Sequence, residues 1–588
     1  MSYTLTTSGG EEKKKALEGA WESLAPLLRD EKINLAIALI AVLINSGANL
    51  LAPIVIAHVI DTAIATDNFA EVLRESAILG GVYIIGLIAA YMQTIRMGTV
   101  GRGVLFKLRN ALFNKLSELP IAFFNQNKAG DLISRINNDT DKLNQFFSQA
   151  LMQFIGSFFV ILGAGILLLV LNWRLGVAAL LPALAILLLT QLLSPWVKRK
   201  SRDGLQSLGA LSAEVQESIA NFKVIVAFDR LDYFRQKFDE ANQKNYRASV
   251  TAGIASNLLA PLYTVAANVA QILVLGYGIL LIASGSLTIG LLIGYLLYVT
   301  SFYNPLRQLA SVWASLQLAL ASLDRIQEVL ALESDLPVVA SQPHANTPSS
   351  TLLSFDDVSF AYSGGKQILH DVSFTLEQGK TYALVGPTGG GKTTTASLMA
   401  RLFDPVTGTI ELNGRDIRSY EPEERAQQIG FILQEPFLFS GTIRENISYG
   451  NTELAALSAD ELQAALEEKN LAPLLERFSE GLDTKVTAAS EGISLGQKQL
   501  IAFMRAVLRA PALLILDEAT ANIDTVTEQL LEEILTQLPE TTTKVIIAHR
   551  LNTIQNADSI FFVNGGTVTE AGSMEHAVEM LLSGSHAS

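Results

Sequence analysis

Cysteine is absent from the 588 residues, which excludes disulfides and thiolate metal sites and leaves the compartment open. Aromatic residues are scarce at 7%, and charged residues make up only 17%. Positive charge is in deficit, with 43 Lys and Arg against 57 Asp and Glu and a net charge of −14. Nucleic-acid binding, which calls for a basic surface, finds no support in that balance. An acidic water-facing surface accounts for it. No short apolar run with a small-residue cleavage site opens the chain, so a signal peptide is not expected. Glu11 to Ala20 is charged instead, and Trp21 to Asp30 reads as a short amphipathic element at a membrane surface.

Charge is missing most conspicuously from long windows. Mean hydropathy is +0.32, and nearly all of the apolar excess lies before residue 325. Ile33 to Ile60, Ser76 to Ile95, Leu143 to Trp173 and Leu175 to Val197 lack Asp, Glu, Lys and Arg. So does Ala248 to Leu306, long enough for two spans joined near Ser284–Gly290. About 20 apolar residues cross a bilayer as helix, so six spans are expected. The loop after the second window holds Arg96, Arg102, Lys107, Arg109 and Lys115, and that after the fourth holds Lys198, Arg199, Lys200 and Arg202. The loop after the first carries Asp61, Asp67, Glu71 and Glu75 against one arginine. Positive charge stays on the cytoplasmic side, which places both termini inside and keeps the external loops short.

Leu105–Leu119, Leu132–Phe146 and Ser212–Tyr246 repeat apolar residues at helical spacing among charges. They are expected to extend the spans into the cytoplasm, with bends near Phe123–Lys128 and Ala227–Asp232 as tips. The polar residues within spans, among them Asn45, Asn49, His58, Gln149, Gln153, Gln191, Asn257, Asn268 and Gln271, should face other helices or a cavity. None is singled out as a substrate contact. The last two spans hold no deep ionisable side chain, which argues against ion coupling.

Beyond a proline- and serine-containing linker the pattern changes to short apolar runs alternating with helical stretches, as in a parallel sheet with crossover helices. The boundaries read as a 1–32 N-terminal segment, a 33–330 membrane domain, a 331–350 linker and a 351–588 soluble domain. Thr381–Val385 is a strand candidate running into Gly386-Pro387-Thr388-Gly389-Gly390-Gly391-Lys392-Thr393-Thr394. A Gly, four residues, then Gly-Lys-Thr between strand and helix is the phosphate-cradling loop of a nucleotide site. Its backbone N–H groups and the following helix N-terminus face the anion. Lys392 supplies charge to the β- and γ-phosphates of ATP, with no evident structural role at the loop–helix junction, and Thr393 offers a hydroxyl to Mg²⁺. Leu513–Leu516 ends in Asp517-Glu518, one carboxylate for Mg²⁺ and its neighbour to activate water.

Together these motifs resemble the ATP-binding cassette (ABC) family. Residues 351–588 resemble its nucleotide-binding domain, and the whole chain resembles a half-transporter of the type IV exporter group. The fold class expected is a multidomain membrane protein, a six-helix transmembrane domain followed by an α/β P-loop nucleotide-binding domain. The resemblance implies that Tyr362 stacks on adenine and that Gln434 touches Mg²⁺ and water. It also implies that Asp517 holds Mg²⁺, Glu518 is the general base, His549 contacts the γ-phosphate and Asp524 communicates across a dimer. The family signature Leu-Ser-Gly-Gly-Gln reads here Ile493-Ser494-Leu495-Gly496-Gln497, with Leu495 in place of the first glycine. Upstream, Ala488 and Ala489 stand where a glutamate and arginine arrangement is usual.

Those departures cluster on the surface that would close over a partner's nucleotide, while the catalytic side is complete. A heterodimer with a second half-transporter is therefore favoured, with a homodimer as the alternative. The function implied is ATP-driven export or flipping of an amphipathic drug, lipid or peptide across the cytoplasmic membrane by alternating access. The competing class is a membrane regulator or sensor whose cassette gates a partner without transport. Lys392, Glu518 and His549 all being present argues against that alternative.

Overall fold

The computed structural model describes residues 3, 5, 26, 28–64, 69–334, 336–339, 350–362, 365–434, 436–487, 493–517, 525–547, 556–572, 575–576 and 579–580. The chain forms two compact units. One comprises Thr6–Ser117 and Gly130–Ala331, the other Met1–Leu5, Glu118–Ala129 and Leu332–Ser588.

Among the described residues, six helices long and apolar enough to cross a membrane run through the first unit, and all six expected spans are accounted for. They are α1 (Lys32–His58), α2 (Phe69–Glu118), which ends one residue into the other unit, and α4 (Ala129–Leu171). After them come α5 (Trp173–Ala220), α7 (Leu231–Ala283) and α8 (Ile289–Leu330). At the loop tips lie two short helices, α3 (Ile121–Gln126) and α6 (Phe222–Ala227), and the chain then turns at residues 127–128 and 228–230, within the expected bends. At each tip the apolar residues at helical spacing close one or two further turns instead of leaving irregular chain.

The breaks between helices have local chemical causes. Asn172 is extended and its side chain accepts from the backbone N–H of Arg174 and Leu175, capping α5 one residue after α4 ends. Gly285 at φ 73° turns the chain out of α7. Thr288 then caps α8 through Leu291 N–H, and Asp61 accepts from Gly290 N–H at 2.7 Å and Leu291 N–H at 3.2 Å. A carboxylate suits the positive end of a helix.

Near its start α4 contains two π-helical stretches, Arg135–Asp139 and Phe146–Ala150. The first turns Arg135 and Asp139 inward toward α8. Arg135 bonds Asp131 at 2.9 Å and Glu328 at 2.8 Å, while Asp139 meets Lys142, Ser322 and Arg325. Buried charges persist only when paired in this way. Of the polar span residues, Gln153 reaches Gln308 and Gln271 reaches Thr300 across helices, as expected. Asn49 and Asn257 instead donate to carbonyls of their own helix.

The second unit is built on two sheets. Strands β1 (Thr351–Ala361), β2 (Gln367–Glu377), β4 (Thr407–Leu412) and β5 (Arg415–Asp416) form an antiparallel sheet in the order β2-β1-β4-β5. The larger sheet contains β3 (Thr381–Val385), β6 (Ile429–Ile432), β9 (Leu513–Asp517), β10 (Thr543–Ile547), β11 (Ser559–Asn564) and β12 (Thr567–Glu570). Its order is β12-β11-β3-β10-β9-β6, and every pairing except β11–β12 is parallel. Between β6 and β9, Gly441–Thr442 (β7) and Lys485–Val486 (β8) make a small separate pair. Every residue of β9 is buried, as a central strand covered on both faces requires. An α/β nucleotide-binding fold thus follows the six-span helical domain.

The segment entering this unit is held by Arg401, a buried residue in the left-handed region at φ 51°. Its guanidinium donates to the carbonyls of Pro337 and Arg418 and pairs with Asp404 at 2.9 Å. Nothing in the sequence pattern singled it out.

Candidate functional site

Parallel register brings the motif ends to one edge. Leu384 of β3 pairs with Ile547 of β10, and Ile547 pairs with Asp517 of β9. Leu516 in turn pairs with Ile432 of β6. The glycine loop after β3, Asp517 at the end of β9 and Gln434 two residues past β6 therefore leave the same carboxyl edge of the sheet. Ligands of open α/β sheets bind at that edge. Glu518, Asp524 and His549 lie outside the described residues, as do Ala488 and Ala489.

The loop itself is shaped by close backbone approach. Gly386 sits at φ 145°, where a Cβ would come within 2.0 Å of the Val563 carbonyl oxygen on β11. A Cβ at Gly390 would lie 2.5 Å from the same oxygen, and one at Gly391 would press on Leu369. Larger residues at these positions would displace the loop from β11, so glycine is demanded by packing. Gly391 at φ 115° leads into α9 (Lys392–Met399), whose first turn opens toward the loop. This cradle of N–H groups and a helix N-terminus fits a phosphate chain.

Lys392 is only 6% exposed, and its ammonium donates to the carbonyls of Gly386 at 2.9 Å and Pro387 at 3.0 Å. The sequence reading gave it no structural role. The structure corrects that: the long flexible stem lets the cation fold back and tie the loop closed. Thr393 beside it is exposed, whereas Thr394 is buried and faces the Tyr362 hydroxyl at 3.3 Å. Asp517 is 3% exposed, and Gln434 is exposed.

Tyr362 follows β1 and is 37% exposed. Phe360 and Phe403 meet its ring edge-on at 4.9 and 5.2 Å, which fixes the ring plane. A cavity of about 410 Å³ lies against Tyr362, Phe403 and Asp404, with Pro120, Asn125 and Gln126 of the α3 segment on its wall.

The signature segment starts α10 (Leu495–Leu508). Ser494 accepts from Gln497 N–H at 3.2 Å, and the Gln497 side chain accepts from Ser494 N–H at 3.0 Å, a reciprocal capping box. Leu495 stands at the first helical position, 38% exposed, with Gly496 next. Arg505, further along α10 and missed by sequence reasoning, donates to the carbonyls of Asn446 at 2.7 Å and Phe437 at 3.2 Å. It thereby ties α10 to the chain just beyond Gln434. Burial pushes its pKa below the ordinary arginine value, opposed by Tyr449, but a guanidinium stays charged at any physiological pH. Its partners lie about sixty residues upstream, so no local spacing announces it.

Residues 35–306 match the family described as the ABC transporter transmembrane region, and residues 369–521 match the family described as ABC transporter. An uncharacterized ABC transporter ATP-binding protein of Bacillus subtilis (strain 168) is 34% identical over 96% of this chain and 93% of its own length. The chain is 33% identical to a fatty acid ABC transporter ATP-binding/permease protein of Mycobacterium bovis, over 86% of this chain and 79% of that one. A multidrug resistance ABC transporter ATP-binding and permease protein of Lactococcus lactis subsp. cremoris is 30% identical, covering 84% and 83%.

Proposed function

The chain belongs to the ABC transporter family, and from that premise we propose that it is one half of an exporter that couples ATP hydrolysis to outward movement of an amphipathic substrate. The observation that carries the reading is the in-register strand edge, which delivers the glycine loop, Asp517 and Gln434 to one place in a chain that also carries a membrane-spanning helical domain.

In this reading the loop N–H groups and the N-terminus of α9 bind the phosphates, and Lys392 neutralises their charge while keeping the loop closed. Tyr362 offers its ring to adenine. Thr393, Asp517 and Gln434 are the residues that would hold Mg²⁺, and their hard oxygen donors suit it. Mg²⁺, when bound, neutralises phosphate charge and orients the reacting phosphoryl group. Glu518 takes the proton of the attacking water, and His549 donates to the γ-phosphate as its charge develops. The α3 and α6 tips pass cassette closure to the spans. Nucleotide binding favours one arrangement of the helices over the other, and hydrolysis resets them.

The partner is a second half-transporter, with a heterodimer favoured by Leu495. Ser494, Leu495, Gly496 and Gln497 face the nucleotide held by that partner, and Asp524 communicates across the pair. The multi-pass domain sits in the cytoplasmic membrane with both termini and the ATPase inside. The names of the mycobacterial and lactococcal relatives, fatty acid and multidrug, support an apolar or amphipathic substrate. Inside-out vesicles containing the complex, offered a panel of fluorescent amphiphiles and labelled lipids, test it. ATP-dependent uptake lost in Lys392→Ala is expected. Hydrolysis with no uptake of any member would favour the gating alternative.

A further inference from the structure

Tyr3 is 2% exposed although it lies far in sequence from everything around it. Its backbone N–H donates to the Gln126 side chain at 2.8 Å, and its carbonyl accepts from the Asn127 side chain at 2.9 Å. Asn127 also accepts from Leu5 N–H at 3.2 Å and donates to the Phe123 carbonyl at 2.8 Å. The Tyr3 ring meets the fully buried Phe123 ring edge-on, centroids 6.2 Å apart. At its far end the phenol donates to the Glu333 carbonyl at 3.0 Å. One side chain thus joins α3, which links α2 to α4, with the segment that leads from α8 into the cassette. All three pieces belong to the cassette unit. Gln126, held by Tyr3, also lines the cavity against Tyr362.

We propose that Tyr3 is a positioning residue for coupling: it clamps α3 and residue 333 together beside the Tyr362 cavity, so that a nucleotide-driven movement of the cassette reaches α2, α4 and α8 together. This deepens the transporter reading and rests on it. A surface strap that merely covered apolar area would need neither the three polar contacts to one helix end nor a phenol aimed at a carbonyl. Backbone groups are otherwise satisfied by water at exposed tips, whereas here they are spent on ordering α3. Loss of the clamp leaves the glycine loop and Lys392 untouched, so nucleotide affinity stays while the response of the spans weakens.

The absence of cysteine allows clean labelling. Nitroxides on Arg74→Cys and Ser284→Cys, at the end of α2 opposite α3 and in the turn before α8, report the spacing of those ends in the full complex in nanodiscs. The Glu518→Gln background holds ATP. Binding is followed in parallel with a fluorescent ATP analogue. ATP is expected to shift the label distance with Tyr3 intact. Tyr3→Ala is expected to bind the analogue equally well while reducing the shifted fraction at least about fivefold, the low end of ordinary coupling energies. Tyr3→Phe, which keeps the ring against Phe123 but loses the phenol's bond to the Glu333 carbonyl, is expected to recover only part of it. A full shift in Tyr3→Ala overturns the inference. So does a joint loss of shift and nucleotide binding, which would make Tyr3 part of cassette folding. No shift with Tyr3 intact, despite normal binding, overturns the transporter reading itself and the clamp with it.

Discussion

Lys392 combines a structural duty, seen in its bonds, with the phosphate-binding duty proposed for it. Its motif position announces a phosphate ligand, but its bonds to the Gly386 and Pro387 carbonyls became visible only once the loop was folded. Lys392→Ala should therefore lower ATP affinity on the order of 10- to 100-fold, as loss of charge-assisted bonds implies, measured by calorimetric titration. Part of that loss should persist for adenosine diphosphate, because the loop is no longer tied. Unchanged affinity would contradict the assignment. Tyr362 faces Thr394 at the start of α9, and the edge-on contacts of Phe360 and Phe403 hold its ring plane. Tyr362→Ala should raise the half-saturating ATP concentration about tenfold, in keeping with base–aromatic stacking. Phe and Trp should be tolerated, and failure of Phe would assign the role to the hydroxyl facing Thr394. Arg401 and Arg505 escaped the sequence reading because most of their partners lie far off in the chain, Pro337 and Arg418 for the one and Phe437 and Asn446 for the other.

At the scale of elements, the spans and the strand-loop-helix around Gly386 were readable from missing charge and from apolar runs. What could not be read were the ends and interruptions. The first π-helical stretch of α4 turns Arg135 and Asp139 onto partners of α8, a tertiary demand that local helix period does not announce. The tips add short helices ahead of the expected bends. The start of α10 is the instructive case, since Ser494 and Gln497 cap their own helix as well as standing in the signature. Ser494→Ala should cost about 1 kcal/mol of cassette stability through the lost cap, a confounding effect in any activity assay. Ser494→Asp separates the two duties. It should retain the melting temperature, because aspartate caps equally well, yet weaken nucleotide binding at the partner's site by setting a negative charge toward its γ-phosphate. Unchanged nucleotide occupancy of the partner's site in Ser494→Asp would remove the signature from that site.

Across the whole molecule, six spans and a cassette on one chain describe half of a machine. Leu495 begins α10 with an exposed side chain, where the family pattern has glycine, so the site it faces is expected to be the slow one. Native mass spectrometry in mild detergent should show two different chains, the partner bearing an intact glycine-rich signature and a substituted general base or histidine. Two identical chains would make Leu495 a variant compatible with equal sites. Glu518 carries the central claim, because in the proposed cycle hydrolysis at the site of Lys392 drives the movement of substrate. The most direct measurement is steady-state ATP hydrolysis by the purified complex carrying Glu518→Gln, with nucleotide binding followed in parallel. A fall of at least about 100-fold, the ordinary contribution of a general base, with binding preserved is the predicted result; near-normal turnover would contradict it.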